Sequence, residues 1–258
     1  MAAQNTSSLG APCWVEAFQQ NPRAATEFYG KLFGWTFDEP TAMPTGFEGE
    51  YFTARLDGKR VAGIGQAPPS TPVGWMTFVA VDDVAQSLSL AEQAGGTRVV
   101  GPVAASFGGE IGILTDATGV PFGLRQSRDV SGAEVVGEPN SWAMSSLHTT
   151  DLPRAEAFYG KAFGWELSSA PGASFSKWIL RDEVVGVVTA TDGVAVPPHW
   201  SINFAVVDAD AFAQRAVSLG GSVLMGPMDT PGFRNAVIAD PQGGVIAVSA
   251  VTQRSATA

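Results

Sequence analysis

The chain has 258 residues, 45% of them hydrophobic and 16% charged, which is enough apolar material for one large or two ordinary folded domains. Fifteen basic against 25 acidic residues leave a formal charge of -10 with no Lys/Arg run, so a phosphate backbone is repelled and no nucleic-acid partner is expected. Cys13 is the single cysteine, which rules out an intrachain disulfide and a thiolate zinc site.

The first predicted element is a strand over residues 14–18. Asn21 then supplies a helix N-cap and Pro22 the first helical position. Ala25, Phe28, Tyr29 and Leu32 fall at i, i+3, i+4 and i+7, which defines one buried helix face, and Gly34 suits the left-handed residue that ends it. Strands follow over residues 35–37, 50–56 and 60–64, the last two joined by the hairpin signal Asp57-Gly58. The pattern restarts with a strand over 75–81, a helix over 84–94 closed by Gly95-Gly96, and strands over 98–100, 111–115 and 120–126. Residues 126–140, with Gly132, Gly137 and Pro139, show little periodicity and read as a link. A strand over 144–148 and a helix capped by Asp151 then begin the order again.

The second half repeats the first. Phe28-Tyr29-Gly30-Lys31-Leu32-Phe33-Gly34-Trp35 recurs as Phe158-Tyr159-Gly160-Lys161-Ala162-Phe163-Gly164-Trp165 with one difference. Ala94-Gly95-Gly96 matches Leu219-Gly220-Gly221, Gly101-Pro102 matches Gly226-Pro227, and the turn at Asp116 to Gly119 matches Asp240 to Gly243, at spacings of about 125 to 130 residues. The organisation expected is a module over 10–127, a linker over 128–139 and a module over 140–252. Each module is βαβββ taken twice, so the fold class is α+β: four βαβββ units in curved mixed sheets, helices outside and a ligand-sized cleft inside.

The Phe-Tyr-Gly-Lys-x-Phe-Gly-Trp segments, the Val81-Asp82-Asp83-Val84 junction, the Gly-Gly helix ends and the Asp-x-x-Gly turns resemble the vicinal oxygen chelate superfamily, which holds glyoxalases, extradiol dioxygenases and bleomycin-resistance proteins. The resemblance runs from about residue 12 to 251 and is nearest to two-module glyoxalase-like proteins of actinobacteria. It implies the fold, while the chemistry stays open because one scaffold hosts unrelated reactions. In metal-using members the resemblance implies His, Gln or Glu ligands at positions that here hold Trp14 and Met144, Met76 or Trp75 and Ser201 or Trp200, and Gly123 and Ala247. Residues 61–65 and 184–188 hold no ligand type either. Indole, glycine and alanine donate nothing to a divalent ion, which needs three or four donors, so no metal and no other cofactor is expected. His199 is the imidazole closest in sequence to the family position in the second copy.

Strand alternation puts Trp14, Glu16 and Phe18 inside the first cleft and Met144, Ser146 and His148 inside the second. Glu16, desolvated between aromatic neighbours, and His148, which titrates near neutrality, are the candidate acid and base. The competing readings pair Glu16 with a backbone amide or Arg55, hydrogen-bond His148 to Thr150, and leave His199 at the surface. Tyr51, Phe52, Trp75 and Phe78 are candidates to line the first cleft and Trp178, Asn203 and Phe204 the second, against the alternative that such aromatics are core. Loops 104–110, carrying Phe107, and 229–234 read either as lids or as ordinary connections. Glu110 and Arg234 sit at similar places with opposite charge, which gives the two clefts different preferences if both line the rims. Nucleophile elbows, phosphate loops and dinucleotide fingerprints are missing, and Cys13 has no activating neighbour in sequence. The expected function is a metal-independent enzyme acting by proton transfer on a small organic, aromatic or polyketide-like metabolite, by isomerisation, elimination or cyclisation. The alternatives are a drug-sequestering protein of the bleomycin-resistance type and a metal-dependent glyoxalase or dioxygenase. A small molecule is the expected partner, with no membrane, since apolar runs such as residues 184–190 are too short. Residues 1–10 lack a leader pattern, so a cytoplasmic monomer or homodimer is expected.

Overall fold

The computed structural model describes residues 8–69, 71–105, 108–126, 132–170, 172–193 and 196–252. In the first half these form β1 (Pro12–Gln19), α1 (Pro22–Phe33), β2 (Thr36–Phe37), β3 (Thr41–Ala42), β4 (Glu50–Leu56), β5 (Lys59–Gln66), β6 (Gly74–Ala80), α2 (Val84–Gln93), β7 (Thr97–Ala104), β8 (Glu110–Thr115) and β9 (Pro121–Gln126). The second half forms β10 (Trp142–Thr149), α3 (Leu152–Phe163), β11 (Glu166–Ser169), β12 (Ser176–Leu180), β13 (Glu183–Ala190), β14 (His199–Ala205), α4 (Ala209–Ser218), β15 (Ser222–Thr230), β16 (Phe233–Ala239) and β17 (Val245–Val251). The two-residue β3 is the one strand that sequence patterning did not anticipate.

The helix ends follow from their capping chemistry. The Asn21 side chain accepts from the Ala24 amide, and Asp151 does the same for Arg154. Gly34 and Gly164 close the two helices at φ 77° and 73°, a left-handed conformation open to glycine. Ala25, Phe28, Tyr29 and Leu32 are buried, as the 3.6-residue spacing requires.

Strands of the first half build one sheet in the order β2-β4-β5-β1-β6-β9-β8-β7, with β3 on β4. Those of the second build another, β11-β12-β13-β10-β14-β17-β16-β15. Each sheet joins two βαβββ units through an antiparallel pair, β1 with β6 and β10 with β14. The register sets the faces. Trp14 and Glu16 lie opposite Phe78 and Met76 on the concave side, while Val15 and Ala17 lie opposite Thr77 and Trp75 on the convex side, which carries the helices.

The two convex faces turn toward each other. Thr77 Oγ1 and Ser145 Oγ, at the centres of the two sheets, are 2.7 Å apart. Tyr29 on α1 donates to Asp240 of the second half at 2.6 Å, and Tyr159 on α3 donates to Asp116 of the first at 2.9 Å. The indoles of Trp75 and Trp200 donate to these two hydroxyls. One apolar cluster therefore joins Tyr29, Phe33 and Trp35 to Phe204, Phe212 and Val248. A second joins Leu88, Phe122 and Leu124 to Phe158, Tyr159 and Trp178. The helices are outside each cup yet inside the molecule, and the two cups open in opposite directions.

Candidate functional site

The first cup is filled by its own side chains. Glu16 Oε2 accepts from the Tyr51 hydroxyl at 3.0 Å and from the Trp14 indole at 3.2 Å, and that indole also reaches the Tyr51 oxygen at 3.2 Å. The Arg125 guanidinium lies 4.9 Å over the Trp14 ring, a cation–π contact. Strand glycines make the room. A Cβ on Gly63 would stand 2.1 Å from the Tyr51 hydroxyl, and one on Gly123 would stand 2.2 Å from the Phe78 ring. Glu16 is 5% exposed, and burial pushes its carboxyl above the usual range. The charge of Arg125 and the bonds from Tyr51 and Trp14 pull it partly back.

The second cup has the same backbone and a different floor. Along β10 and β14 the convex residues are buried, while Met144, Ser146, His148, His199, Ser201 and Asn203 on the concave side are half-buried and reach solvent. Where the first cup has Trp14, Glu16, Phe78 and Arg125, the second has Met144, Ser146, Asn203 and Ser249, at matching register positions. The bulky interlocked set is thus exchanged as a group for smaller residues. Asn203 Nδ2 donates to Ser249 Oγ at 2.8 Å, Ser249 donates to Asn235 Oδ1 at 2.5 Å, and Asn235 Nδ2 donates to Thr230 Oγ1 at 2.6 Å. Met225 and Met228, on the same face by pairing with Val237 and Asn235, are 38% and 47% exposed and give this side an adaptable thioether rim.

At one end of this floor the His148 and His199 rings stack with centroids 4.7 Å apart and planes 5° from parallel. Burial first, and then the neighbouring His199, lower the His148 pKa to about 4, so it is neutral at physiological pH. His199 Nδ1 donates to the Pro197 carbonyl at 2.8 Å.

Comparison with known proteins agrees with this architecture. The model of the glyoxalase-like domain matches residues 15–125 and again 143–249. The chain belongs to the glyoxalase-like domain family. The putative glyoxylase CFP32 of Mycobacterium tuberculosis is 36% identical over 247 residues, covering 93% of this chain and 94% of the relative. The anthracycline biosynthesis protein DauV of Streptomyces sp. is 32% identical over 257 residues, covering 93% and 92%. Among solved structures, the Mn(II)-bound glyoxalase of Novosphingobium aromaticivorans superposes with a TM-score of 0.63 at 18% identity, over 94% of this chain and 82% of that one. The 2,2',3-trihydroxybiphenyl 1,2-dioxygenase of Sphingomonas wittichii gives 0.61 at 15% identity, over 97% and 94%. At these identities the structures establish the vicinal oxygen chelate fold.

In this glyoxalase-like chain the residues singled out from sequence separate into three groups. Trp14, Glu16, Phe18, Tyr51 and Phe78 share the first cup, and Ser146, His148 and Asn203 share the second. Glu16 and His148 therefore stand in different cups and do not form one acid–base pair. Trp75 and Trp178 are corrections: both lie on the convex side, Trp75 against Tyr29 and Phe204, and Trp178 against Tyr159 and Trp165. Phe52 and Phe204 are convex as well, inside the apolar cluster. Glu110 and Arg234 also leave the clefts. Glu110 shares the face of Gly112, which meets α2, and Arg234 forks onto Asp210 of α4 with a second pairing to Asp229. Their opposite charges do not tune two ligand sites. Phe107 lies outside the described residues. Arg55 pairs with Asp38 instead of Glu16. Sequence reasoning missed Arg125, Ser249 and Asn235, whose roles depend on cross-strand register that alternation within one strand does not reveal.

The family's metal site does not fit these residues. The concave positions that would carry ligands hold indole, thioether, hydroxyl, glycine and alanine groups, and the Phe78 ring occupies the space over Gly123. Among the described residues no three His, Cys, Asp or Glu side chains gather at one point. Among the described residues His148 and His199 supply two imidazoles without a third His, Cys, Asp or Glu to complete a site. Cys13 is buried and its thiol is pushed up to about 12, which removes it as a nucleophile. No helix of the described residues is long and apolar enough to cross a membrane.

Proposed function

We propose that the chain holds one small, planar, oxygen-bearing aromatic metabolite on the concave face of the second sheet, and acts on it by proton transfer through His148 without a metal ion. The observation that carries this reading is the contrast between the cups: the first is packed shut, while the second exposes a floor of hydroxyl, amide and imidazole groups edged by methionines. Thioethers and a stacked imidazole pair suit the flat face of an aromatic ring, and Asn203, Ser249 and Asn235 suit ring oxygens. The full-length relative named for anthracycline biosynthesis supports a polyketide-like aromatic of this kind. His148 enters the reaction as a neutral imidazole and accepts a proton from an acidified carbon or hydroxyl, with ring oxygens held by the amide–hydroxyl chain.

Filling the second cup with bulky side chains tests the reading. Ser146→Trp and Asn203→Phe fill the floor and are expected to abolish binding of a planar hydroxyanthraquinone probe, with wild type binding one probe per chain by calorimetry. Two probes per chain, or unchanged affinity in both variants, would place the ligand elsewhere. A second reading, sequestration without turnover, is favoured by one feature: a base with a pKa of about 4 is weak. His148→Asn separates the two. Turnover of a substrate lost with affinity kept supports catalysis, whereas a wild type that returns every ligand unaltered supports sequestration.

A further inference from the structure

The register of the second sheet aligns one row of concave residues across four strands. Lys177 pairs with Val187, Val187 with Ser146, and Ser146 with Ser201. With strands about 4.8 Å apart, the Lys177 backbone stands two strands from Ser146, and a lysine side chain spans most of that distance. Val187 between them offers no competing polar group.

The floor of this face lacks the net negative charge that the molecule carries. The chain carries a formal charge of -10, yet the concave positions of β10, β14, β16 and β17 hold no Asp or Glu. Glu183, on β13, pairs with Leu180 and shares its convex face beyond a bulge in that strand. The carboxylate that register puts on the same face, Glu166, lies on the outermost strand, beyond Lys177 as seen from the floor. Lys177 is exposed and joins no ion pair among the described residues. The first cup inverts the arrangement, with Thr53 at the place of Lys177 and Glu16 at the place of Ser146. Distant surface carboxylates matter little here, because charges more than about 8–10 Å away are screened at physiological salt.

We infer that the ligand of the second cup is an anion, an aromatic acid or an ionised enol or phenol, with its charged group held by the Lys177 ammonium and the hydroxyls of Ser146 and Ser201. The inference rests on the binding face proposed above and adds the charge class of what it takes. Serine hydroxyls donate to an oxyanion, and an ammonium at the flank of an otherwise neutral floor discriminates by charge without requiring a second basic residue. The stacked imidazoles of His148 and His199 in the next row bring no anionic group to this floor.

Two probes of one shape test it: anthraquinone-2-carboxylate and anthraquinone-2-carboxamide, titrated into the full chain by calorimetry and tryptophan quenching at low and at moderate salt. The carboxylate is expected to bind about fivefold or more tightly than the amide, to weaken with salt, and to lose its advantage in Lys177→Gln while the amide is unaffected. Equal affinities in wild type, or a preference that survives Lys177→Gln, would overturn the charge assignment. Ser146→Trp separates this from the binding face itself. If both probes are lost in that variant, the face stands whatever the charge result. If both still bind to it, or if neither binds wild type, the face and the charge assignment fall together.

Discussion

His148 and Glu16 are both ionisable groups on concave strands, and their surroundings move them in opposite senses. For His148 the native pKa falls from 6.5 to about 4, so the unfolded chain binds the extra proton between those values. Stability is then fully present above 6.5 and is lost as pH falls toward 4. His148→Asn is expected to flatten that acid limb in denaturant midpoints, and the wild-type ring is expected to titrate near pH 4 by proton NMR. Because His199 contributes to the shift, His199→Asn should move that titration upward without restoring 6.5, since burial remains the larger cause. Glu16 runs the other way. Its native pKa is raised, so the folded state holds the proton more tightly and stability declines as pH rises from 4.5 through the native value. Glu16→Gln should remove that slope. Glu16→Ala should cost about 1–3 kcal/mol, because it removes the buried oxygen that accepts from the Tyr51 hydroxyl and the Trp14 indole. Neither change should alter ligand affinity in the second cup by more than about twofold, since the two cups share no side chain and distant sites act independently. Loss of binding in Glu16→Gln would show that the first cup takes part.

At the scale of strands and helices, the first cup depends on glycines that the second does without. Gly123 on β9 lies under the Phe78 ring, where a methyl group would sit 2.2 Å from ring carbons. Gly123→Ala should destabilise the chain by about 1–3 kcal/mol through overpacking. The matching Ala247 on β17 is half-buried on an open floor, so Ala247→Val should cost under about 0.5 kcal/mol in the same urea midpoint assay. The element order, caps and inner-face parity were legible in sequence because they rest on local rules: Asn21 and Asp151 cap by adjacency, and alternation places Trp14 with Glu16 and Met144 with Ser146. What escaped is set between elements. Trp75 and Trp178 look like cleft aromatics in a single strand, but pairing with Ala17 and with Gly186 puts them on the convex side, where Tyr29 and Tyr159 receive them. The closed state of the first cup was equally hidden, since it comes from four side chains on three separated strands meeting at Glu16 and Trp14.

In the whole molecule the repeat in sequence is not the unit of the core. One apolar cluster takes α1 and its strands from the first half and α4, β16 and β17 from the second; the other takes α2 with β8 and β9 from the first half and α3 with β12 and β13 from the second. The bonds from Tyr29 to Asp240 and from Tyr159 to Asp116 cross between halves at both places and are buried, where leaving a partner unsatisfied costs about 1–3 kcal/mol. A half expressed alone would expose one wall of each cluster together with a buried carboxylate acceptor. The chain should therefore unfold in a single transition despite its two matched family domains, with heat, urea, tryptophan fluorescence and circular dichroism giving coincident curves. Calorimetric and van't Hoff enthalpies should agree for the full chain. Residues 1–139 and 140–258 produced separately should be unfolded or aggregated, and should regain structure on mixing if the crossed clusters can reassemble. Two resolved transitions in the full chain, or a half that folds cooperatively at the same midpoint, would mean that the crossed contacts contribute little and that each sheet with its own helices is the stable unit.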